Sequence, residues 1–145
     1  MPDQNEDPIA VALFSEIFAT EQMTRQQLSR ALPHNIELSH FMVLNHLSNL
    51  GRERSPVQLA RAFNLTKGAM TNTLSKLEAA GYIHIRPDWD DARKKLVAIS
   101  ETGERARDEA MLSVMPIFDD LIAAFESDEL RHGLRFMRQL RQSLS

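Results

Sequence analysis

The sequence predicts a mainly α fold with one small β-hairpin, and three observations predict it. Helix formers dominate, and apolar residues recur at helical spacing along most of the chain. Strict alternation is confined to a short stretch after Gly81 and never runs beyond about five residues, which excludes a large sheet. From Ser55 to Ile99 the order reads helix, turn, helix, strand, charged loop, strand. With 145 residues and no linker, repeat or low-complexity tract, one domain over 1–145 is expected.

Residues 1–7 read as a flexible, acidic tail, with Asp7 suited to cap a helix and Pro8 to open it. Ile9, Leu13 and Ile17, flanked by Phe14 and Phe18, form an apolar stripe that continues through Met23, Leu28 and Leu32 until Pro33 stops the helix. A second helix covers about Leu38 to Leu50 and ends at Gly51. The short loop Arg52 to Ser55 follows. Ser55 caps a third helix that Pro56 begins. Thr66 caps a fourth, in which Met70, Leu74 and Leu77 share one face and pack on Leu59 and Phe63.

After Gly81 the period becomes two. Ile83 and Ile85 face one side, Tyr82, His84 and Arg86 the other, and Val97 and Ile99 alternate in the returning strand. Pro87 to Lys95 forms the hairpin loop. Ser100 to Gly103 reads as a strand-to-helix turn. A helix from Glu104 carries Leu112, Met115, Phe118, Leu121, Ile122 and Phe125, with Pro116 expected to kink or split it. Ser127 or Asp128 is expected to cap a last helix striped by Leu130, Leu134, Met137, Leu140 and Leu144. Long apolar-striped helices at both ends lack partner surface within their own subunit.

The net charge of −3 argues weakly against a nucleic-acid partner, but its distribution argues the other way. Between Arg52 and Lys95 nine basic residues face five acidic ones, a surplus of four, so the remainder carries −7. The helix after Thr66 concentrates the signal. Opposite its apolar face lie Gly68, Ala69, Asn72, Ser75 and Lys76, flanked by Thr71 and Thr73 and begun by Lys67, with no acid before Glu78. Small residues let a backbone approach a groove, amides and hydroxyls read base edges, and lysines meet phosphates. Asn72 is the leading candidate for a base contact, Lys67 for guanine or phosphate, and Lys76 for phosphate. Thr66 and the first amides of the helix attract a phosphate. Such a face also occurs as plain solvated surface, although a Gly- and Thr-bearing exposed face lowers helix propensity. Residues 36–103 therefore read as a winged helix-turn-helix head. In its hairpin, Arg93 would enter a minor groove, Arg86, Lys94 and Lys95 would lie along the backbone, and Asp91 would hold the loop or orient Arg93.

Other chemistries fare worse. Asp88, Asp90 and Asp91 invite a calcium loop, but Ala92 and Arg93 stand where a ligand and a glycine are required. The histidines His34, His40, His46, His84 and His132 include no pair four apart on a helix, so no metal is assigned, although a zinc-sensing set drawn from His40, His46 or His132 with acids is conceivable. There is no cysteine, which excludes thiol sensing and disulfides. No activated serine or phosphate loop is present, and neither enzyme activity nor a cofactor is expected. Met23, Met42, Met111 and Met115 read as core filler, with an effector cavity as the alternative. Without a signal-like or membrane-length apolar run, a cytoplasmic location with no membrane partner is expected.

The chain resembles the multiple-antibiotic-resistance regulator (MarR) family of winged-helix transcription factors from Ile9 to Leu144. The markers are Phe41-x-Val43-Leu44, Leu59-Ala60, Lys67-Gly68-Ala69-Met70-Thr71, Leu77-Glu78-x-x-Gly81-Tyr82-Ile83, Asp91-x-Arg93 and Ser100-x-x-Gly103. The resemblance implies a homodimer joined by the terminal helices (8–33 and 104–145), a palindromic operator in double-stranded DNA, and often a small effector between arms and head. The apolar stripes agree, and Ile9, Leu13, Ile17, Leu130, Leu134, Met137 and Leu140 are the expected interface. Two heads would meet half-sites roughly 34 Å apart. A ligand-responsive repressor is expected, its effector an aromatic or organic acid with no binding residues assigned. Glu37 and Ser100 stand where the family usually has threonine. Ala92 stands where its wing commonly has a basic residue, which puts the wing's share of affinity in doubt. The rival readings are a winged-helix protein–protein module without DNA and, further off, a small helical enzyme using the Asp88 loop.

Overall fold

The computed structural model describes residues 8–145, so the Asp7 cap and the 1–7 tail lie outside the described residues. The order is α1 (Pro8–Ala31), α2 (Leu38–Leu50), α3 (Pro56–Ala62), α4 (Lys67–Ala79), β1 (Ile83–Pro87), β2 (Lys95–Ile99), α5 (Glu101–Ile122) and α6 (Ser127–Leu144). The fold is mainly helical with a single antiparallel hairpin, as the period analysis requires. Ile83 pairs with Ile99 and Ile85 with Val97. Ile83 and Val97 are buried, while His84 is exposed. A one-residue slip would expel both buried side chains, so burial pins the register.

Local chemistry sets most boundaries. Gly51 ends α2 in the left-handed region at φ 62°, and its N–H bonds back to Leu47. Ser55 caps α3 as expected. Gln58 completes a capping box by returning its side chain to the Ser55 N–H, a pattern visible in Ser55-x-x-Gln58 but not read from it. Thr66 Oγ1 accepts from the Ala69 N–H at 3.1 Å. Met70, Leu74 and Leu77 are buried and join Leu59, Leu44, Leu47 and Val97 in one core.

The arms depart from expectation at the starts of α5 and α6, and Pro116 does not split its helix. Helix α5 begins at Glu101, because the Ser100 hydroxyl accepts from the Gly103 N–H and donates to the Gly81 carbonyl at 2.6 Å. The expected turn is therefore the first turn of the helix. Pro116 neither splits nor ends α5. The carbonyl that Pro116 leaves without its helical donor belongs to Leu112, an exposed residue. The cap of α6 is Glu126, with no side-chain bond, and Ser127 is already helical. Asp128 and Glu129 in the first turn suit the positive end of the helix dipole.

A polar seam joins α5 to the head. Arg107 donates to Asn45 Oδ1 at 3.1 Å and to Asn49 Oδ1 at 3.3 Å, and Ser48 donates to Glu104 at 2.8 Å. Of the four methionines expected to fill the core, only Met111 packs against it. Met23, Met42 and Met115 are exposed in the protomer, and Met111 is partly buried against the core. Among the described residues no helix is long and apolar enough to cross a membrane.

His40 and His46 are both held below the ordinary imidazole value of 6.5. Burial is the leading cause in each, reinforced by Lys76 at His40 (against the opposing Glu37) and by Arg54 at His46. His46 also packs edge-on against Phe63 at 5.3 Å. A lowered folded value means that the unfolded chain binds protons more readily. Stability is then complete above pH 6.5 and falls as pH drops through that value toward the folded one. Melting temperature is expected to decline over this window, and His46→Gln to flatten part of the decline.

Candidate nucleic-acid interface

The capped start of α4 and the burial of its Met70–Leu74–Leu77 side turn the opposite side outward. Lys67, Gly68, Ala69, Thr71, Asn72 and Lys76 are exposed, as is the capping Thr66, and Ser75 lies among them. The side chain of Asn72 has no hydrogen bond among the described residues, so both its donor and its acceptor are available. Thr71 differs, since its hydroxyl donates to the Lys67 carbonyl at 2.8 Å and leaves only a lone pair and a methyl outward. Gly68 has nothing within 4 Å of where a Cβ would stand, so its surface is open to a close neighbour.

The hairpin loop is built rather than loose. Asp88 N–H donates to the Lys94 carbonyl at 2.9 Å, and Lys94 N–H to the Asp91 carbonyl at 2.9 Å. The carboxylate of Asp88 accepts from Asp90 N–H at 3.0 Å. That of Asp91 accepts from both the N–H and the Nε of Arg93, at 3.1 and 3.2 Å. Two of the three loop acids are thus engaged within the loop, and Arg93 extends with its side chain 91 % exposed. Lys94 and Lys95 are exposed beside it.

Arg86 is placed differently from the other candidates. Its guanidinium holds Glu53 in a two-point pair, at 2.8 Å from Nε and 2.6 Å from Nη2, and donates to the Pro87 carbonyl at 2.9 Å. The bond to Glu53 raises its already high pKa further. An arginine so engaged braces the hairpin. Glu53 was missed because it lies 33 residues away in what reads as a plain loop. The neighbouring Arg54 bridges Val97 through both backbone groups, at 3.0 and 2.7 Å, adding a one-residue third strand too short to show a period.

Among the described residues no three His, Asp or Glu side chains gather as a metal site. An open cavity of about 550 Å³ lies between the end of α1, the following loop and the start of α2. Its lining includes Arg25, Arg30, His34 and Glu37 together with the apolar Leu32, Ile36 and Leu38.

A helix-turn-helix with a braced hairpin, carried on terminal helical arms, defines the class: a winged-helix head on a two-armed scaffold. Residues 34–94, which make up most of the head, match the sequence model of the MarR family. Known structures extend the likeness to the arms. BldR from Sulfolobus solfataricus is 24 % identical over 94 % of this chain and 99 % of its own, with a TM-score of 0.81. A cysteine-to-serine mutant of MarR from E. coli, complexed with operator DNA, is 21 % identical over 94 % and 99 %, at 0.80. BpsR of Bordetella bronchiseptica, whose DNA binding is regulated by 6-hydroxynicotinic acid, is 18 % identical over 90 % and 98 %, at 0.79. The head carries the family's sequence pattern, and the chain as a whole has the fold of MarR-family transcriptional regulators.

Proposed function

We propose that this chain is a transcriptional regulator that binds double-stranded DNA sequence-specifically as a homodimer, acting as a ligand-responsive repressor on a palindromic operator. The observation that carries this reading is the outward face of α4. Seven positions on it offer amide, hydroxyl, small or cationic groups and no carboxylate, on a helix whose other side is locked into the core. Such a helix fits the major groove, with Asn72 at a base edge and Lys67 and Lys76 on phosphates. Arg93 enters the adjoining minor groove, and Lys94 and Lys95 follow the backbone. The likeness to a MarR complexed with operator DNA supports duplex DNA as the partner.

The effector is an aromatic or heteroaromatic acid held in the cavity beside α1 and α2. Arg30 and His34 suit a carboxylate there, Arg25 being held by Glu21 at 2.6 Å, and Leu32, Ile36 and Leu38 suit a ring. The regulation of BpsR by a hydroxylated pyridine carboxylate is consistent with that chemistry. Occupancy changes the spacing of the two heads only if the ligand binds one spacing more tightly than the other.

The test is duplex binding with DNA from upstream of the protein's own coding region, followed across salt concentrations and a panel of aromatic acids. Saturable binding that weakens steeply with salt supports the reading. Indifference among duplexes overturns it in favour of a protein-binding module. Asn72→Ala is expected to relax preference at one base pair by about 1–3 kcal/mol. Arg93→Ala is expected to weaken all duplexes alike and to lower the salt slope by about 1. Both are read from the same titrations.

A further inference from the structure

Trp89 is the only tryptophan in the chain, and at 82 % exposure it is the most exposed large apolar side chain among the described residues. Most of the other exposed apolar side chains belong to α1, α5 and α6, where a second subunit would cover them. Trp89 belongs to the hairpin loop of the head, near Arg93 in sequence. Looseness does not explain its position, because the loop is closed by the Asp88–Lys94 and Asp91–Lys94 backbone bonds and by two carboxylate bonds.

The indole also has a fixed seat. Arg86 Cζ lies 5.2 Å from the centre of the ring, and Arg86 is itself clamped by both oxygens of Glu53. A cation over one ring face attracts the π-system, so the pair Glu53–Arg86 acts as a bracket that presents a flat apolar plate. The loop around it is poor in net attraction for phosphate, since Asp88, Asp90 and Asp91 offset Arg93, Lys94 and Lys95. The loop therefore gains from a contact that needs no charge.

We propose that Trp89 is a DNA-contacting residue of the hairpin, packing its ring against the deoxyribose and base-edge carbons at the rim of the minor groove that Arg93 enters, with Arg86 and Glu53 as its positioning residues. The proposal rests on the DNA-binding reading above and deepens it. It gives the hairpin an apolar share of affinity, where the three acids limit the electrostatic one. Contacts to sugars carry no sequence information, so Trp89 contributes affinity rather than base preference.

The single tryptophan makes the test direct. Unlabelled protein is titrated with a fluorescently end-labelled upstream duplex, following label anisotropy and tryptophan emission together. Emission is expected to change and to saturate at the same DNA concentration as the anisotropy. Trp89→Ala is expected to melt at the wild-type temperature, to bind roughly tenfold more weakly, and to keep the wild-type salt slope, unlike Arg93→Ala. Trp89→Phe is expected to recover most of the loss. Anisotropy that rises while emission stays constant, or wild-type affinity in Trp89→Ala, overturns the role of Trp89 and leaves DNA binding intact. No rise in anisotropy with any duplex overturns both, and the exposed indole then belongs to a protein contact.

Discussion

Leu134→Glu combined with Met137→Glu is expected to convert the protein to a monomer and to weaken operator binding by at least roughly 100-fold, the loss that follows when two linked sites become one. The expectation comes from what the arms leave uncovered. No residue of α6 is buried in the protomer, although Leu134, Phe136, Met137 and Leu144 project from it. Phe18 on α1 and Leu112, Leu121 and Ile122 on α5 are exposed as well. A monomer rarely leaves so much apolar surface in water, and a twofold mate would cover the same set on each copy. Two glutamates on adjacent turns would each have to be desolvated at that contact, at a cost of several kcal/mol per ion. Sedimentation reads the oligomeric state, and circular dichroism checks that the head stays folded. Dimer formation and full affinity in the variant would remove the arms from the interface.

Gly103→Ala is expected to lower stability by about 3 kcal/mol or more, at the upper end of what overpacking costs. A Cβ at this buried position would collide with the Tyr82 carbonyl oxygen and stand 2.9 Å from Ile99 Cγ1. The oxygen is backbone, and it already accepts from the Ser100 N–H at 2.9 Å, so it cannot withdraw without releasing the junction of β2 and α5. For a chain of this size the melting temperature should fall by about 10 °C. Gly68→Ala is the matched comparison. Nothing lies within 4 Å of its Cβ position, and alanine favours helix by up to about 1 kcal/mol. That variant should melt no lower than wild type yet bind DNA less well, because the added methyl stands on the face offered to the groove. Equal melting of the two alanine variants would refute the packing account of Gly103.

Much of this molecule is legible one element at a time. Gly51, Ser55 and Thr66 end or start helices through bonds to backbone groups three or four residues away, and such bonds are written in the local sequence. The two sides of α4 follow from a period of about 3.6, so the candidate recognition face emerges from residue order alone. Where the start of α5 was misread, the deciding partner was distant. Helix α5 starts early because the Ser100 hydroxyl also reaches Gly81, 19 residues back.

Periodicity, caps and charge placement, all read within a window of a few residues, determined that this protein is a helical chain with one hairpin and one outward helix face free of acid as far as Glu78. Only the tertiary structure decided that Arg86 braces Glu53 and seats Trp89, that Arg54 pairs with β2, and that Gly103 must remain a glycine. Those facts depend on groups that packing brings together, most of them far apart in the chain. Local propensity fixes which face of an element is apolar, but the partner that meets a polar side chain is set by how the elements pack.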